Sequence, residues 1–281
     1  METKGDFITV EPKDPIVAKH VCYYYFHISQ DKEYSSKFSF YPNYKHALTI
    51  YKGSDVVLDG ESSIVRQANE DACSSFYTIN TNRNFKVDIQ GAFNKIGVVF
   101  NPLGINHFLN KPLDAVFNKS AGEFDYFGAP LLTVAKEVYS EPNPDKKGAL
   151  LDAFFAAQYC GFEDTVVKKA IGEILNSNGT VRVEELSDST GVNRKTLLRL
   201  FNKHLRCSVE EYKKMVMFRN ALNYSQQAND SSLTDVALYN LYYDQAHFIK
   251  HFKSVTQQSP KVLLSRLTKL GSQETYWNFE D

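Results

Sequence analysis

The feature that most constrains the fold is a pattern that occurs twice in the C-terminal third of the chain. In each copy a short helical segment leads through a tight turn to a second helix, which opens on an N-capping side chain, Asn193 or Asp244. The two caps stand 51 residues apart, and the pattern occurs only twice. It therefore predicts a duplicated helix-turn-helix rather than a solenoid.

The first copy has clear signals at its turn and on both faces of its second helix. Gly191 suits the left-handed backbone of a tight turn, and the following helix is predicted to run to about Leu205. One side of that helix carries Leu197, Leu200, Phe201 and His204. The other side carries Arg194, Lys195, Leu198, Arg199 and Asn202. We expect the first side to pack and the second to face a partner.

The first 100 residues have a different pattern, with short β-branched and aromatic segments separated by Gly, Asn, Asp and Ser. The predicted strands lie within residues 17–28, 46–51, 56–60, 62–68, 75–79, 85–90 and 95–100. Several short strands at about ten-residue spacing favour a barrel or a sandwich. Helical spacing of apolar residues begins near residue 129, and a break with two prolines is predicted at 141–147.

These patterns predict an α+β protein with two main domains, and 281 residues fit two domains at about 150 residues each. Residues 1–162 form a β-rich, barrel-like domain that ends in helices at about 129–159. Residues 163–270 form an all-α domain of seven short helices with the two helix-turn-helix units. Residues 271–281 carry three acidic side chains and no basic one, which predicts an acidic tail.

The net charge of −1 conceals an uneven distribution of charge along the chain. Residues 193–219 contain eight Lys and Arg against two Glu, a local charge of +6. Such an excess indicates a phosphate-binding face, and an ordinary solvated helix face is the alternative.

Two segments resemble the AraC/XylS family of bacterial transcription regulators, VEELSDSTGVNRKTLLRLFNKHLRCSVEEYKK (183–214) and LTDVALYNLYYDQAHFIKHFKSVTQQSPKVLL (233–264). The second is more specific, because Asp-Gln-x-His-Phe, Phe-Lys and Ser-Pro stand at the family's spacing. GVVFNPLGINHFLNKPLDAVF (97–117) is similar to the sensor-like N-terminal domain of some of these regulators. The resemblance implies a sequence-specific DNA-binding transcription regulator with a β-rich sensing or dimerising domain.

The resemblance also implies two recognition helices that meet successive major-groove segments, about one helical turn or ~34 Å apart. The implied DNA contacts are Arg194, Lys195, Leu198 and Arg199 in the first unit, and Gln245, Ala246, His247 and Lys250 in the second. Lys203 and Lys253 are better suited to backbone phosphates. Arg199 and Lys250 are equivalent positions, although only Arg offers a bidentate fork to guanine. Leu198 suits a thymine methyl group.

The sequence departs from the family pattern at four positions. Leu241 replaces the turn glycine of the second unit, so the left-handed position must shift, for example to Asn240, or carry strain. Arg206 and Gln257 replace the glycines that usually follow the two recognition helices, and His251 stands where an apolar residue is usual.

Other chemistry has little support, and the sequence predicts a protein that is not an enzyme and has no cofactor or metal. The four cysteines form no Cys-x-x-Cys pair. His247 and His251 have the spacing of a zinc-binding helix, but no Glu follows the first histidine. The four histidines of the β-rich region lack the His-x-His of a cupin-like metal site. No P-loop, dinucleotide fingerprint or nucleophile elbow occurs.

The run Tyr23-Tyr24-Tyr25 bears on whether the N-terminal domain binds an effector. Its side chains alternate between the faces of a strand, so they line a cavity or fill the core, and the core interpretation is favoured. A regulator controlled by a small-molecule effector is the working hypothesis. The alternatives are an effector-independent regulator, a β-barrel enzyme with a DNA-binding appendage, and a protein-interaction module that uses the helices at 129–159.

Double-stranded DNA is the expected partner. RNA polymerase, a small-molecule effector and a second copy of the chain are further candidates. The apolar stripes at 129–159 either pair two copies or pack on the β-rich domain. No apolar segment approaches the roughly 18 residues that span a membrane, and the first residues do not resemble a signal peptide. We therefore expect a cytoplasmic protein without a membrane partner.

Overall fold

The computed structural model describes residues 5–79, 83–227, 233–239, 242–273 and 275–280. Strands dominate its first half and helices its second half, so the α+β prediction is confirmed. The described strands are β1 (Asp6–Val10), β2 (Val21–Ser29), β3 (Ser35–Phe40), β4 (Ala47–Lys52), β5 (Ser54–Leu58), β6 (Ser62–Gln67), β7 (Cys73–Thr78), β8 (Phe85–Gln90), β9 (Phe93–Phe100), β10 (Ala121–Glu123), β11 (Leu267–Leu270) and β12 (Thr275–Glu280).

The strands form two six-stranded sheets, which corresponds to the sandwich alternative rather than a closed barrel. The first sheet has the order β1-β2-β9-β4-β7-β10, and the second has the order β11-β12-β3-β8-β6-β5. Neighbouring strands pair antiparallel except β6 and β8, which pair parallel. Strands β1 and β3, which the sequence analysis missed, have fewer buried positions than the apolar strand β2.

The described helices are α1 (Leu113–Val116), α2 (Gly128–Ser140), α3 (Pro144–Gln158), α4 (Thr165–Asn176), α5 (Val183–Thr190), α6 (Arg194–Leu205), α7 (Val209–Gln227), α8 (Leu233–Tyr239), α9 (Gln245–Thr256) and α10 (Pro260–Arg266). Short 3-10 turns cover Val17–Lys19 and Gly104–Phe108. The seven helices predicted within 165–268 are α4 to α10. No described helix is long and apolar enough to cross a membrane.

Helices α2 and α3 pack on the first sheet. Leu131, Ala135 and Val138 from α2 share a core with Phe154 and Phe155 from α3 and with residues of β2, β4 and β9. The apolar stripes at 129–159 are therefore buried within the chain, which is the second of the two alternatives.

Helix α3 begins inside the segment 141–147 that was predicted to be a break. The Asn143 side chain accepts a hydrogen bond from the Lys146 amide at 3.1 Å, and Pro144 occupies the first helical position. An N-cap followed by proline starts a helix, because the proline ring fixes a helical φ where its missing N–H costs nothing. The second proline therefore marks a start rather than an interruption.

The C-terminal helices form two cores that share α7. Tyr212, Met215 and Val216 of α7 belong to the core of α4 to α6. Phe218, Ala221 and Leu222, further along the same helix, belong to the core of α8 to α10. We call the α5–α6 pair the first unit and the α8–α9 pair the second unit.

The acidic tail expected at 271–281 is wrong for the described residues 275–280. Strand β12 pairs with β11 and with β3, and it brings Trp277 into the core of the second sheet. The Trp277 ring stacks on Phe38 with centroids 4.1 Å apart. Burial of an aromatic residue outweighs the acidic character of the segment, because one indole buries 150–250 Å² of surface.

Candidate nucleic-acid interface

The turn and cap of the first unit have the predicted geometry. Gly191 has φ of 70° and follows α5 directly. A Cβ atom there would meet open space, so the backbone conformation alone requires glycine. The Asn193 side chain accepts a hydrogen bond from the Thr196 amide at 2.9 Å and caps α6. These two residues set the angle at which α6 leaves the turn.

Helix α6 has the two faces that the sequence predicts. Leu197, Leu200, Phe201, His204 and Leu205 are buried. Arg194, Lys195, Leu198 and Arg199 are exposed, and Lys203 is half-buried near the end of the helix. Leu198 is 43% exposed although it is apolar, which leaves its methyl groups free to meet an apolar partner such as a thymine methyl.

The cations on α6 differ in their local partners. Arg194 forms an ion pair with Glu184 of α5. Within the described part of the chain, neither Lys195 nor Arg199 has a carboxylate partner at ion-pair distance. The charge of Arg194 is therefore partly neutralised by Glu184, whereas that of Arg199 is not.

The second unit repeats the arrangement of the first. The Asp244 side chain accepts a hydrogen bond from the His247 amide at 2.7 Å, which confirms the second cap. Phe248, Phe252 and Val255 of α9 are buried. Gln245, Ala246, His247, Lys250 and Lys253 are all exposed. The five predicted contacts of this unit therefore lie on the solvent side of one capped helix.

The predicted departures from the family pattern have structural consequences at the helix ends. Arg206 and Gln257 close α6 and α9 with φ of 59° and 60°. Both occupy the left-handed conformation that glycine usually supplies, at a cost of about 1–2 kcal/mol per residue. Leu241 and Asn240, the other expected departure, lie outside the described residues.

His251 is held as a neutral core residue. Its Nδ1 lies 2.8 Å from the Tyr242 hydroxyl, and burial lowers its pKa to about 4. Phe248, between the two histidines of the HxxxH pattern, is fully buried. Among the described residues there is no group of three or more His, Cys, Asp and Glu side chains placed to hold a metal ion.

The first unit contacts the N-terminal region, and no sequence motif predicts this contact. Asn106 donates from its side chain to the His204 carbonyl at 3.0 Å, and the Arg206 guanidinium lies 3.5 Å from the Asn118 carbonyl. The His204 ring lies 3.4 Å from Asp164. The contacts of Asn106 and Asn118 join residues 98 and 88 positions apart, a separation that helical periodicity does not detect.

A cavity of about 130 Å³ lies between the two sheets. We call it the inter-sheet cavity, and Tyr23, Tyr25, Lys95, Arg219 and Trp277 are among the residues that line it. Tyr24 faces the opposite side, where its hydroxyl donates to Asp152 at 2.8 Å. The three tyrosines therefore alternate between the two faces of the strand, as predicted. The favoured interpretation, that they fill the core, applies fully only to Tyr24, because Tyr23 and Tyr25 line the cavity.

Comparisons with known proteins agree with this geometry. Residues 186–266 match the family described as "Helix-turn-helix domain", a range that covers the second unit and all but the first three residues of the first. The 1.65 Å structure of ToxT from Vibrio cholerae covers 87% of this chain and 99% of its own, with a TM-score of 0.52 and 13% identity. The unsaturated fatty acid bound wild-type ToxT from Vibrio cholerae strain SCE256 covers 88% and 98%, with a TM-score of 0.50 and 14% identity.

The chain resembles known proteins in fold but not in overall sequence. No curated protein sequence matches the chain. At 13–14% identity, the likeness to ToxT shows a shared fold across both the sheets and the helices. The family match and the two capped helices together identify the kind of domain that the C-terminal part forms. Residues 186–266 are a helix-turn-helix domain, the DNA-binding part of the chain.

Proposed function

We propose that the protein reads a bipartite DNA sequence with α6 and α9. One observation carries this proposal. All the predicted contacts except the half-buried Lys203 are exposed, on two helices that begin with the same N-cap hydrogen bond. Because α7 contributes to both cores, it holds the two helices on one scaffold. Such a pair would meet two major-groove segments about one turn apart.

Each unit has side chains that contact base edges and one lysine that holds a phosphate. Arg199 and Lys250, at equivalent and exposed positions, contact bases, and Arg199 supplies the bidentate fork that selects guanine. Leu198 and Ala246 pack on thymine methyl groups, and Gln245 pairs with adenine. Lys203 and Lys253, near the ends of their helices, hold phosphates and position the protein without reading sequence.

In the same proposal a small-molecule effector occupies the inter-sheet cavity. The cavity is lined by residues of both sheets and is rich in aromatic side chains, as small-molecule sites commonly are. One ToxT structure of similar fold is described as bound to an unsaturated fatty acid, which supports an apolar ligand body in a protein of this architecture.

Strand β12 connects the cavity with the second unit. Thr275 and Trp277 line the cavity, whereas the neighbouring Tyr276 also joins the core of α8 to α10. A ligand that binds more tightly when β12 is in one position would therefore favour one position of the second unit. Such a difference in affinity between two states is what allosteric control requires.

The partners follow from this proposal. Double-stranded DNA is the partner of α6 and α9, and RNA polymerase is a second partner at the promoter. The protein acts in the cytoplasm and has no enzymatic activity. A homodimer would need a surface other than the apolar stripes of α2 and α3, since those stripes are buried in the chain.

The test is selection of duplexes from a random pool by the full chain at two salt concentrations. We expect an enriched motif of two blocks about one helical turn apart. Arg199→Ala should relax one block and Lys250→Ala the other, each costing about 1–3 kcal/mol at the affected base. Lys136→Ala, an exposed cation on α2, is the matched control and should leave both blocks unchanged.

Two results would contradict the proposal. A motif with a single block would mean that only one helix reads DNA. Binding without an enriched motif, which disappears as salt rises, would reduce the interaction to non-specific attraction of phosphates.

A further inference from the structure

One side of the sandwich is open between the edges of its two sheets. Strands β5 and β10 are the last strands of the sheets on this side, and within the described part of the chain no strand pairs with their outer edges. A groove of about 1060 Å³ lies between them, lined by Ser54, Val56 and Leu58 of β5 and by all three residues of β10. On the opposite side the sheets contact each other, since the hydroxyls of Thr9 in β1 and Ser272 after β11 lie 2.8 Å apart. We call the open gap the edge groove.

The register of β5 directs its unpaired backbone groups into the edge groove. On the paired side, the Ala68 amide donates to the Gly53 carbonyl at 2.9 Å, and the Asp59 amide donates to the Ser62 carbonyl at 3.1 Å. Hydrogen-bonded residues alternate along antiparallel strands, so the odd-numbered residues of β5 bond to β6. The even-numbered residues, which line the groove, therefore direct their amides and carbonyls away from β6.

Strand β10 has the same arrangement on the other wall. The Ser120 carbonyl accepts a hydrogen bond from the residue after β7 at 2.7 Å, and the Phe124 amide donates to the Ser75 carbonyl of β7 at 2.8 Å. By the same alternation, Ala121 and Glu123 direct their backbone groups away from β7. Free strand edges are templates for a further strand, and β5 contains neither Lys nor Pro, which commonly protect such an edge.

One β-strand fits the edge groove in size. Five extended residues span about 17 Å, and with ~4.8 Å between strands and ~10 Å between sheets they take up about 800 Å³. The groove volume of about 1060 Å³ therefore holds a strand with its side chains, but not a folded domain. Its walls include Ala68, Ala72 and Ala121, whose small side chains leave room for a backbone.

The side chains of β5 set a pattern for such a strand. Val56 and Leu58, together with Phe76 of β7, line both the edge groove and the inter-sheet cavity. Asp55 and Val57 are exposed, and Val57 is 51% exposed although it is apolar. A strand added to β5 continues this alternation, because side chains opposite each other share a face of the sheet. Every second side chain of the added strand would therefore meet apolar residues, and the others would lie beside Asp55.

The charges at the edge groove are mainly acidic. The exposed acids that line it or lie in the turns that border it are Asp55, Asp59, Glu70, Asp71 and Glu123. Among the described residues none of these five carboxylates forms an ion pair. Lys119 lines the groove and Arg66 lies opposite Asp55 on β6, so acids remain in excess. Pairing of two copies along this edge would bring like charges together, whereas a basic segment would neutralise them.

We propose that the edge groove binds an extended segment of a partner protein in which apolar and basic residues alternate. The segment pairs antiparallel with β5 and adds a strand to the second sheet, a common mode of peptide recognition. Its apolar side chains contact Val56 and Phe76, and its basic side chains lie beside Asp55. The groove contains no residue of α6 or α9, so a docked segment leaves both helices free for DNA.

Fluorescence anisotropy of the full chain with the fluorescein-labelled peptide Lys-Val-Lys-Val-Lys-Val-Lys tests this proposal. In the antiparallel pairing the valines lie opposite the even-numbered residues of β5, so the valine amides donate to β5. N-methylation of the valines should therefore weaken binding by about tenfold or more, since several hydrogen bonds are lost. N-methylation of the lysines is the matched control and should leave the affinity unchanged. The peptide with Glu in place of Lys should bind about tenfold more weakly or worse.

Variants of the protein test the same contacts from the other side. Val56→Pro removes an amide that points into the groove and no hydrogen bond to β6, a position at which an edge strand tolerates proline. It should weaken peptide binding by about tenfold or more and leave DNA binding and the melting temperature close to those of the unmodified chain. Asp55→Lys should also weaken peptide binding. Asp6→Lys, an exposed aspartate on the opposite edge strand β1, is the matched control and should not.

Several outcomes would overturn the proposal. Equal affinity of the two N-methylated peptides, or unchanged affinity in Val56→Pro, would show that no strand is added to β5. Equal weakening by Asp55→Lys and Asp6→Lys would reduce the interaction to general attraction of charge, and no binding at about 1 mM peptide would leave no site. A dimer seen by sedimentation that Val56→Pro dissociates would mean that a second copy of the chain, rather than a partner protein, occupies the edge.

Discussion

The second helices of the two helix-turn-helix units are capped in the same way, but the units are attached to the N-terminal region in different ways. Each receives one buried apolar residue from that region, Leu103 in the core of the first unit and Tyr41 in the core of the second. The first unit adds two polar contacts, Asn106 with the His204 carbonyl and Arg206 with the Asn118 carbonyl. The second adds β12, which carries Trp277 into the core of the second sheet.

This difference indicates which unit is easier to move. A hydrogen bond between protein groups exchanges for water at a net cost of about 0.5–1.5 kcal/mol. Release of β12 exposes a stacked tryptophan and breaks a strand ladder, which costs several times more. We therefore expect the first unit to separate from the sheets at lower cost, whereas the second moves only when β12 moves.

The largest expected effect comes from Trp277→Ala. Removal of a buried tryptophan costs about 3–5 kcal/mol. Hydrogen exchange should therefore quicken in α9 and α10, which the chain joins to β12, and change less in α6. Urea unfolding of the full chain combined with exchange mass spectrometry measures both effects.

Tyr243→Ala is the control for that experiment, because Tyr243 is 89% exposed next to α9 and should change neither quantity. Equal quickening of exchange in α6 and α9 after Trp277→Ala would contradict the separate attachment of the two units.

The second prediction concerns pH. Burial lowers the pKa of His251 in the second unit to about 4, and the pKa values of the stacked pair His20 and His107 fall to about 4 for the same reason. In the unfolded chain a histidine has a pKa of about 6.5, so between pH 6.5 and 4 it binds more protons there than in the folded chain. The free energy of unfolding is therefore highest above pH 6.5 and decreases as pH falls towards 4. His251 should contribute on the order of 2 kcal/mol.

Urea unfolding between pH 7 and pH 4.5 tests this expectation. His251→Phe should flatten the profile of the second unit, and His20→Phe that of the N-terminal region beside the first unit. Stability that is constant over this range in the unmodified chain would show that these histidines are not buried as neutral side chains.

The third prediction compares the two caps. Asn193→Ala and Asp244→Ala each remove one side-chain hydrogen bond to a helix amide, and each should cost about 1 kcal/mol of stability. Their effects on DNA binding should differ, because only Asp244→Ala also removes a negative charge at the surface facing DNA. Anisotropy titrations should show weaker binding for Asn193→Ala than for Asp244→Ala. The opposite order would mean that Asp244 has a role beyond its cap.

Local signals made most of the helical part predictable from the sequence. Asn193, Asp244 and Gly191 act within four residues of their own positions, and the two faces of α6 follow from helical period alone. The family resemblance then named the predicted DNA contacts residue by residue on these helices.

Long-range pairing made the rest unpredictable. Nothing in the composition of 271–281 indicates that Trp277 stacks on Phe38, which lies more than 200 residues earlier. Lys95 was likewise invisible as a cavity residue, because its aromatic neighbours come from four other strands. The sequence predicts alternation along a strand, whereas sheet order and register decide which faces enclose a cavity.

The smallest expected effect on stability, and the sharpest comparison of charge, comes from Glu184→Gln. The ion pair of Glu184 with Arg194 is solvent-exposed, and such pairs contribute little to stability, so the variant should unfold at nearly the same urea concentration as the unmodified chain. DNA binding should nevertheless tighten, because Arg194 no longer leaves a carboxylate to reach a phosphate and the surface loses a negative charge. Anisotropy at several salt concentrations measures this gain, and Glu137→Gln, on the exposed side of α2, serves as the control. If Glu184→Gln weakened binding, the ion pair would orient Arg194 towards DNA rather than compete with DNA for it. The first unit would then have its binding conformation before it meets DNA.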